Sequence, residues 1–288
     1  MADTRPPPIL GAMRFGDWGA RLSADAVAEL LAAAVDLGID TLDLADIYGG
    51  HTTNALVGAA LARRPGLRER LTLVAKAGIL MPDSPGNARR VQHYDLSPTH
   101  LARALDGTLR DLGTDRVEVF MLHRPDPRID VDAVTAWVGD EQARGRIGSL
   151  GVSNFDAHAI SQFDARLPVV ANQIELSLAQ SSALEDGTAV ATRARGAALQ
   201  AWSPLGGGGL LARRDDALAH ALDATAHEFG LDRAGLLLRW VASVPGTRVV
   251  LGTTNASRLS EAIHAVAEPL PRDAWYALWQ TARGRPVP

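Results

Sequence analysis

The chain contains no cysteine. Disulfides, zinc-thiolate centres, iron–sulfur clusters and a thiol nucleophile are therefore excluded. No run of about 18 uninterrupted apolar residues occurs either, so no membrane-spanning helix is expected. An acidic residue and three prolines among the first eight residues stand where a secretory leader would be apolar, which points to the cytoplasm. Neither charge sign dominates: 29 Lys and Arg face 33 Asp and Glu, for a formal net charge of −4. That balance argues against a dedicated nucleic-acid binder. The signatures of phosphate loops, serine hydrolases and zinc proteases are missing as well, and no metal is expected. The run Gly206–Gly209 is no complete dinucleotide fingerprint, because Leu211 and Ala212 fill the positions where a third glycine would fall.

Lysine is almost absent too. Of the 29 cationic residues, Lys76 alone is lysine and all the others are arginine. A composition that uses arginine wherever a cation suffices makes the surviving lysine informative. An ammonium is a compact point charge whose pKa can be moved, whereas a guanidinium is planar and stays charged.

What is present is a regular alternation. Eight short runs rich in Val, Ile and Leu read as strands buried on both faces: Ile9–Phe15, Thr41–Ala45, Leu71–Ala77, Val117–His123, Gly148–Ser153, Val169–Leu176, Ala198–Ser203 and Arg248–Gly252. Helical patterns lie between them. Ser23 caps a helix that Gly38 ends, and Ser97-Pro98 supplies a cap and a first-turn proline. Further helices are expected over Val131–Ala143, Asp156–Ala165, about Leu184 to Arg195, Ala217–Phe229 and Ala234–Ser243, and after Asn255. Eight strand–helix units in 288 residues predict an α/β fold, a single (β/α)8 TIM barrel with eight parallel strands and outer helices, covering residues 1–288 as one domain. The segment Leu80–Tyr94 is the least patterned, with Pro82, Pro85 and Gly86, and reads as a mobile loop over one barrel face.

In such a barrel the chemistry sits at the C-terminal ends of the strands. The second strand ends in Asp43-Leu-Ala-Asp46-Ile-Tyr48, the third in Val74-Ala-Lys76 and the fourth in His123. A carboxylate, a phenol, the sole lysine and an imidazole thus reach one rim. Each has an ordinary alternative, as a helix cap, a loop aromatic or a satisfied core histidine. Together they form an acid–base set in which the lysine favours phenolate, the carboxylate holds the lysine, and the histidine orients a substrate oxygen.

These stretches, with Leu122-His-Arg-Pro-Asp, Gly151-Val-Ser-Asn-Phe, Ala171-Asn-Gln-Ile-Glu, Ala201-Trp-Ser-Pro-Leu-Gly and Leu251-Gly-Thr-Thr-Asn-Ala-Ser-Arg, resemble the aldo-keto reductase family from about Gly11 onward. The resemblance implies a barrel that binds NADPH, with NADH possible, and reduces aldehyde or ketone carbonyls to alcohols by hydride transfer. It implies Asp43, Tyr48, Lys76 and His123 as the catalytic set, with Tyr48 the general acid. It implies Ser153, Asn154 and Gln173 at the nicotinamide carboxamide and Trp202 stacked on the ring. Ser203, Pro204, Leu205 and Gly206 would border the pyrophosphate, and Gly252, Thr253, Thr254 and Arg258 the adenosine phosphate. Gly252 stands where many NADPH-specific members carry lysine, and Ala262 where many carry asparagine. Phe15, Trp18, His51 and Arg124 are expected to line the substrate pocket. The partner implied is a small-molecule carbonyl, with no nucleic acid, membrane or obligate protein partner. Two other functions remain open: a nucleotide-binding regulatory subunit of this fold with little turnover, and a barrel hydrolase or lyase using Asp43 and His123.

Overall fold

The computed structural model describes residues 5–287. Eight parallel strands close into a barrel: β1 (Ile9–Gly11), β2 (Thr41–Asp43), β3 (Thr72–Ala77), β4 (Val117–Leu122), β5 (Ile147–Ser153), β6 (Val169–Glu175), β7 (Ala198–Trp202) and β8 (Thr247–Leu251). Each pairs with its neighbours in sequence, and β1 closes the circle against β8 through Ile9 opposite Val250. The outer ring is α1 (Ala24–Asp36), α2 (Thr53–Arg63), α3 (Pro98–Leu112), α4 (Val131–Ala143), α5 (Ala157–Ser161), α6 (Thr188–Ala194), α7 (Ala217–Glu228), α8 (Arg233–Ala242), α9 (Ala256–Val266) and α10 (Arg272–Arg283). Among the described residues no helix is long and apolar enough to cross a membrane. Of the acidic residue and prolines named at the start, Asp3 lies outside the described residues, which omit 1–4 and 288.

The caps expected from the sequence are in place. Ser23 Oγ accepts from the Ala26 amide, Ser97 Oγ from His100, and Asn255 Oδ1 from Ser257. Gly38 and Gly113 end α1 and α3 in the left-handed region. Four local expectations differ. The first strand stops at Gly11, and residues 12–14 form a 3-10 turn. The chain there bonds to itself, Ala20 N to Arg14 O and Leu22 N to Phe15 O, with Gly19 packed so tightly that a Cβ would meet Arg14 O at 2.2 Å. The helix expected at Asp156–Ala165 shortens to Ala157–Ser161, and the one expected from about Leu184 starts only at Thr188, after Gly187 takes a φ of 88°. The segment Leu80–Tyr94 carries a small ribbon, Ile79–Leu80 against His93–Tyr94, and is tied by Asn87 Nδ2 to Met81 O (2.7 Å) and Val91 O (2.8 Å). Helices α2 and α10 had no counterpart among the helices expected from the sequence.

Period-2 alternation decides what faces inward. On β3, Leu73 and Ala75 join the large core between strands and helices, while Val74 joins a small inner cluster with Met121 and Ala171. Gly151 leaves room for Met121, whose Cγ a Cβ there would meet at 2.8 Å. Lys76 is two residues beyond Val74, so it points into the barrel one layer above this apolar plug.

Candidate active site

Above the plug the barrel interior turns polar. Lys76 Nζ pairs with Asp43 Oδ1, and both side chains are buried, at 1% and 3% exposure. The Tyr48 hydroxyl donates to Asp43 Oδ2 at 3.3 Å, and Lys76 Nζ lies 5.0 Å from the Tyr48 ring centroid. His123 completes the group, its ring 6.2 Å from that of Tyr48 and nearly perpendicular to it. Its Nδ1 is buried with no partner among the described residues. The four residues assembled from the sequence therefore meet in one place.

Local backbone explains how Tyr48 gets there. After β2 the pairing with β3 continues through Leu44 N to Val74 O and Asp46 N to Lys76 O. Gly49, Gly50 and His51 then take φ values of 60°, 65° and 71°, a left-handed turn that glycine tolerates and that swings the chain directly after Tyr48. His51 Nε2 sits 3.0 Å from Ser84 Oγ, joining this turn to the loop after β3.

Electrostatics depart from the sequence expectation. Lys76 was expected to favour phenolate. Instead burial, followed by the charge and hydrogen bond of Asp43, holds the Tyr48 phenol well above its usual range. The lysine's charge is taken up by the carboxylate, so the phenol keeps its proton. Burial pushes the Lys76 ammonium down, against the opposing pull of Asp43. Burial, with the neighbouring Lys76 and Arg124 charges, pushes His123 well below the usual histidine range, so at neutral pH it is an uncharged hydrogen-bonding group.

The opposite side of the rim is one hydrogen-bonded band. Ser153 Oγ donates to Gln173 O at 2.9 Å and accepts from Asn154 Nδ2 at 3.3 Å. Asn154 Oδ1 accepts from Trp202 Nε1 (3.2 Å) and from the Glu175 amide (3.1 Å). Gln173 Nε2 donates to Asp43 Oδ1 at 2.7 Å and to Gln200 Oε1 at 3.1 Å, so both its amide hydrogens are used within the protein. Gln200 escaped the sequence reading. Its signal was a polar residue at an inward position of the apolar strand Ala198–Trp202.

Beyond Trp202 the chain turns sharply. Ser203 has φ 56° and Gly206, Gly207 and Gly208 have φ 58°, 63° and 92°. No heavy atom lies within 4 Å of a Cβ built on Gly207, Gly208 or Gly209, so open space adjoins this backbone. Pro204 is buried and Leu205 packs against the main core. Gly252, Thr253 and Thr254 lead into the N-terminus of α9, where Arg258 is exposed. Of the expected pocket residues, Trp18 stands edge-on to Tyr48 at 6.3 Å and Arg124 sits beside Ser153 at 3.2 Å. Phe15 does not line the pocket. It is 0% exposed within the main core, because the chain leaves the barrel at Gly11 and folds Phe15 inward.

Fold and site together define a (β/α)8 barrel with a buried Asp–Lys–Tyr–His cluster at the C-terminal rim, an architecture suited to proton handling beside a bound ligand. Residues 9–282 match the family model described as the aldo/keto reductase family. The chain is 35% identical over 282 residues to the 6-dehydroglucose reductase of Agrobacterium fabrum, covering 97% of this chain and 95% of that protein. It is 34% identical over 289 residues to the uncharacterized oxidoreductase YcsN of Bacillus subtilis, again covering 97% and 95%. In fold it resembles a glycerol dehydrogenase from Gluconobacter oxydans (TM-score 0.84, 22% identity, 100% and 98% of the two chains). It also resembles a Klebsiella pneumoniae aldo-keto reductase solved in complex with NADPH (TM-score 0.79, 23% identity, 100% and 97%). The chain belongs to the aldo/keto reductase family and is a carbonyl oxidoreductase of that family.

Proposed function

We propose that the chain is one barrel domain acting as an NADPH-dependent reductase of small aldehydes or ketones in the cytoplasm. Asp43, Tyr48, Lys76 and His123 are its catalytic group. The observation that carries this reading is the buried Lys76–Asp43 pair with the Tyr48 hydroxyl hydrogen-bonded to it and a neutral His123 alongside. Neither a pure nucleotide binder nor a hydrolase has a use for a protonated phenol held this way.

The residues fit a dinucleotide. Open space beside the positive-φ glycines of 206–208 lets backbone amides approach an anion closely. Trp202 offers an aromatic face anchored through its indole N–H, and the N-terminus of α9 with Thr253, Thr254 and Arg258 is suited to a phosphate. A bound nicotinamide supplies the hydride. The chain's own part is the proton: Tyr48 donates it to the substrate oxygen, and His123 orients that oxygen by a hydrogen bond. Lys76 keeps Asp43 compensated, and Asp43 fixes the phenol.

The test has two stages. NADPH is expected to quench tryptophan fluorescence, and a simple aromatic aldehyde is expected to turn over. Quenching without turnover would favour the regulatory-subunit reading, and neither result would favour hydrolase chemistry. Cofactor choice is read from Arg258→Ala. Loss of a charge-assisted contact should weaken NADPH by about 1–3 kcal/mol and leave NADH nearly unchanged. Equal losses for both cofactors would remove Arg258 from the phosphate site.

A further inference from the structure

Arg124 follows His123 at the end of β4, half-buried beside the reacting groups. Its Nη1 donates to the His123 carbonyl (2.7 Å) and to Ser153 Oγ (3.2 Å), and its guanidinium carbon lies 5.5 Å from the Trp202 ring centroid. Among the described residues it forms no ion pair. Glu175, Tyr48 and Tyr94 act on it only through space, and burial pushes its pKa below the usual arginine range. Of the pocket's other charges, Lys76 and Asp43 compensate each other, His123 is neutral, Asp46 lies on the Lys76 and Tyr48 side, and Glu175 makes no ion pair with Arg124. One positive charge is therefore left partly desolvated and without a counter-ion where substrate must enter. A guanidinium in that state gains most from a carboxylate, whose two oxygens match its planar fork.

We infer that Arg124 selects carbonyl substrates that carry a carboxylate a few bonds from the reacting carbon. The inference rests on the carbonyl-reductase reading above. The short spacing follows from where the guanidinium is held, since Arg124 Nη1 bonds the His123 carbonyl at 2.7 Å and so stays beside the residue that faces the substrate oxygen. Arg124 thus anchors the far end of the substrate while Tyr48 and His123 hold the carbonyl oxygen.

The experiment compares kcat/KM with NADPH for 3- and 4-carboxybenzaldehyde against their uncharged carboxamide counterparts, in wild type, Arg124→Gln and Arg124→Lys. Wild type should prefer the carboxylate in at least one pair by about 10-fold or more, mainly through KM, since hydrogen bonds to charged groups are the strong ones. Added salt should shrink that preference. Arg124→Gln should bring the ratio below about 3, and Arg124→Lys should retain part of it because the point charge remains. A wild-type ratio near one in both pairs would overturn the inference. So would a ratio that survives Arg124→Gln. Equal losses on charged and uncharged aldehydes would assign Arg124 to cofactor binding instead and also overturn it. Wild type that turns over none of the four aldehydes would remove the reductase reading itself, and the inference with it.

Discussion

Lys76→Met is expected to lose both activity and stability. The side chain is buried against an equally buried carboxylate. Removing the cation leaves Asp43 charged and uncompensated, a change that costs about 3–5 kcal/mol in comparable buried pairs. The Gln173 amide still donates to Asp43 at 2.7 Å but brings no charge. Thermal or urea unfolding reads this loss. Lys76→Arg separates charge from shape. Lys76 is 1% exposed and lies in register with Met121 on β4, next to the Val74–Met121–Ala171 plug, and a close-packed interior resists a bulkier planar guanidinium. Arginine there should displace Asp43 or Tyr48, and a misplacement of about 1 Å costs roughly 10²-fold in rate. Turnover of Lys76→Arg close to that of wild type would show that only a positive charge was needed at this position.

Tyr48→Phe should lower kcat for carbonyl reduction by about 10²–10⁴-fold, the usual contribution of a general acid. The variant should fold, because the ring packs among Ala45, Ile47 and Ile79 and phenylalanine keeps those contacts. Near-normal turnover would assign the proton to another donor, with His123 the next candidate. Burial and Asp43 hold the phenol protonated well above neutrality, so Tyr48 itself introduces no inflection between pH 6 and 8.

Asp46 does introduce one. Its Oδ1 is sealed from solvent without a partner, and burial pushes the carboxyl up to about 7. Above that pH the new negative charge pushes the Tyr48 phenol further up and makes it a weaker acid. The rate of reduction should therefore fall as pH rises through about 7, and Asp46→Asn should flatten that limb. Stability follows the same sign. A carboxyl raised above its unfolded value of 3.8 contributes fully below that pH, and the contribution is lost as pH climbs through about 7. A pH–rate profile of Asp46→Asn that keeps the wild-type inflection would move its origin elsewhere.

Much of this architecture was legible before any coordinates. Strand and helix periods, N-caps at Ser23, Ser97 and Asn255, and the glycine stop at Gly38 are local signals. Each is settled by a few neighbouring residues, and the structure shows them where they were expected. The four candidate catalytic residues were legible for a related reason. A parallel barrel delivers its strand ends to one rim, so adjacency in strand order becomes adjacency in space. The scarcity of lysine singled out Lys76 independently of any family.

Tertiary structure decided the rest. The pairing of Gln173 with Asp43 spans 130 positions in sequence. It arises because inward residues of β2 and β6 face each other across a closed interior, which no local pattern encodes. The same enclosure decides the state of Tyr48, since burial and the shared Asp43 hold its phenol well above the usual range. Phe15 looked like a pocket residue until the chain was seen to leave the barrel at Gly11 and bury it. Arg124 looked like one of several rim side chains. Only the three-dimensional count of its neighbours shows a cation without a counter-ion, because charge compensation depends on distances between elements that composition and spacing leave undetermined.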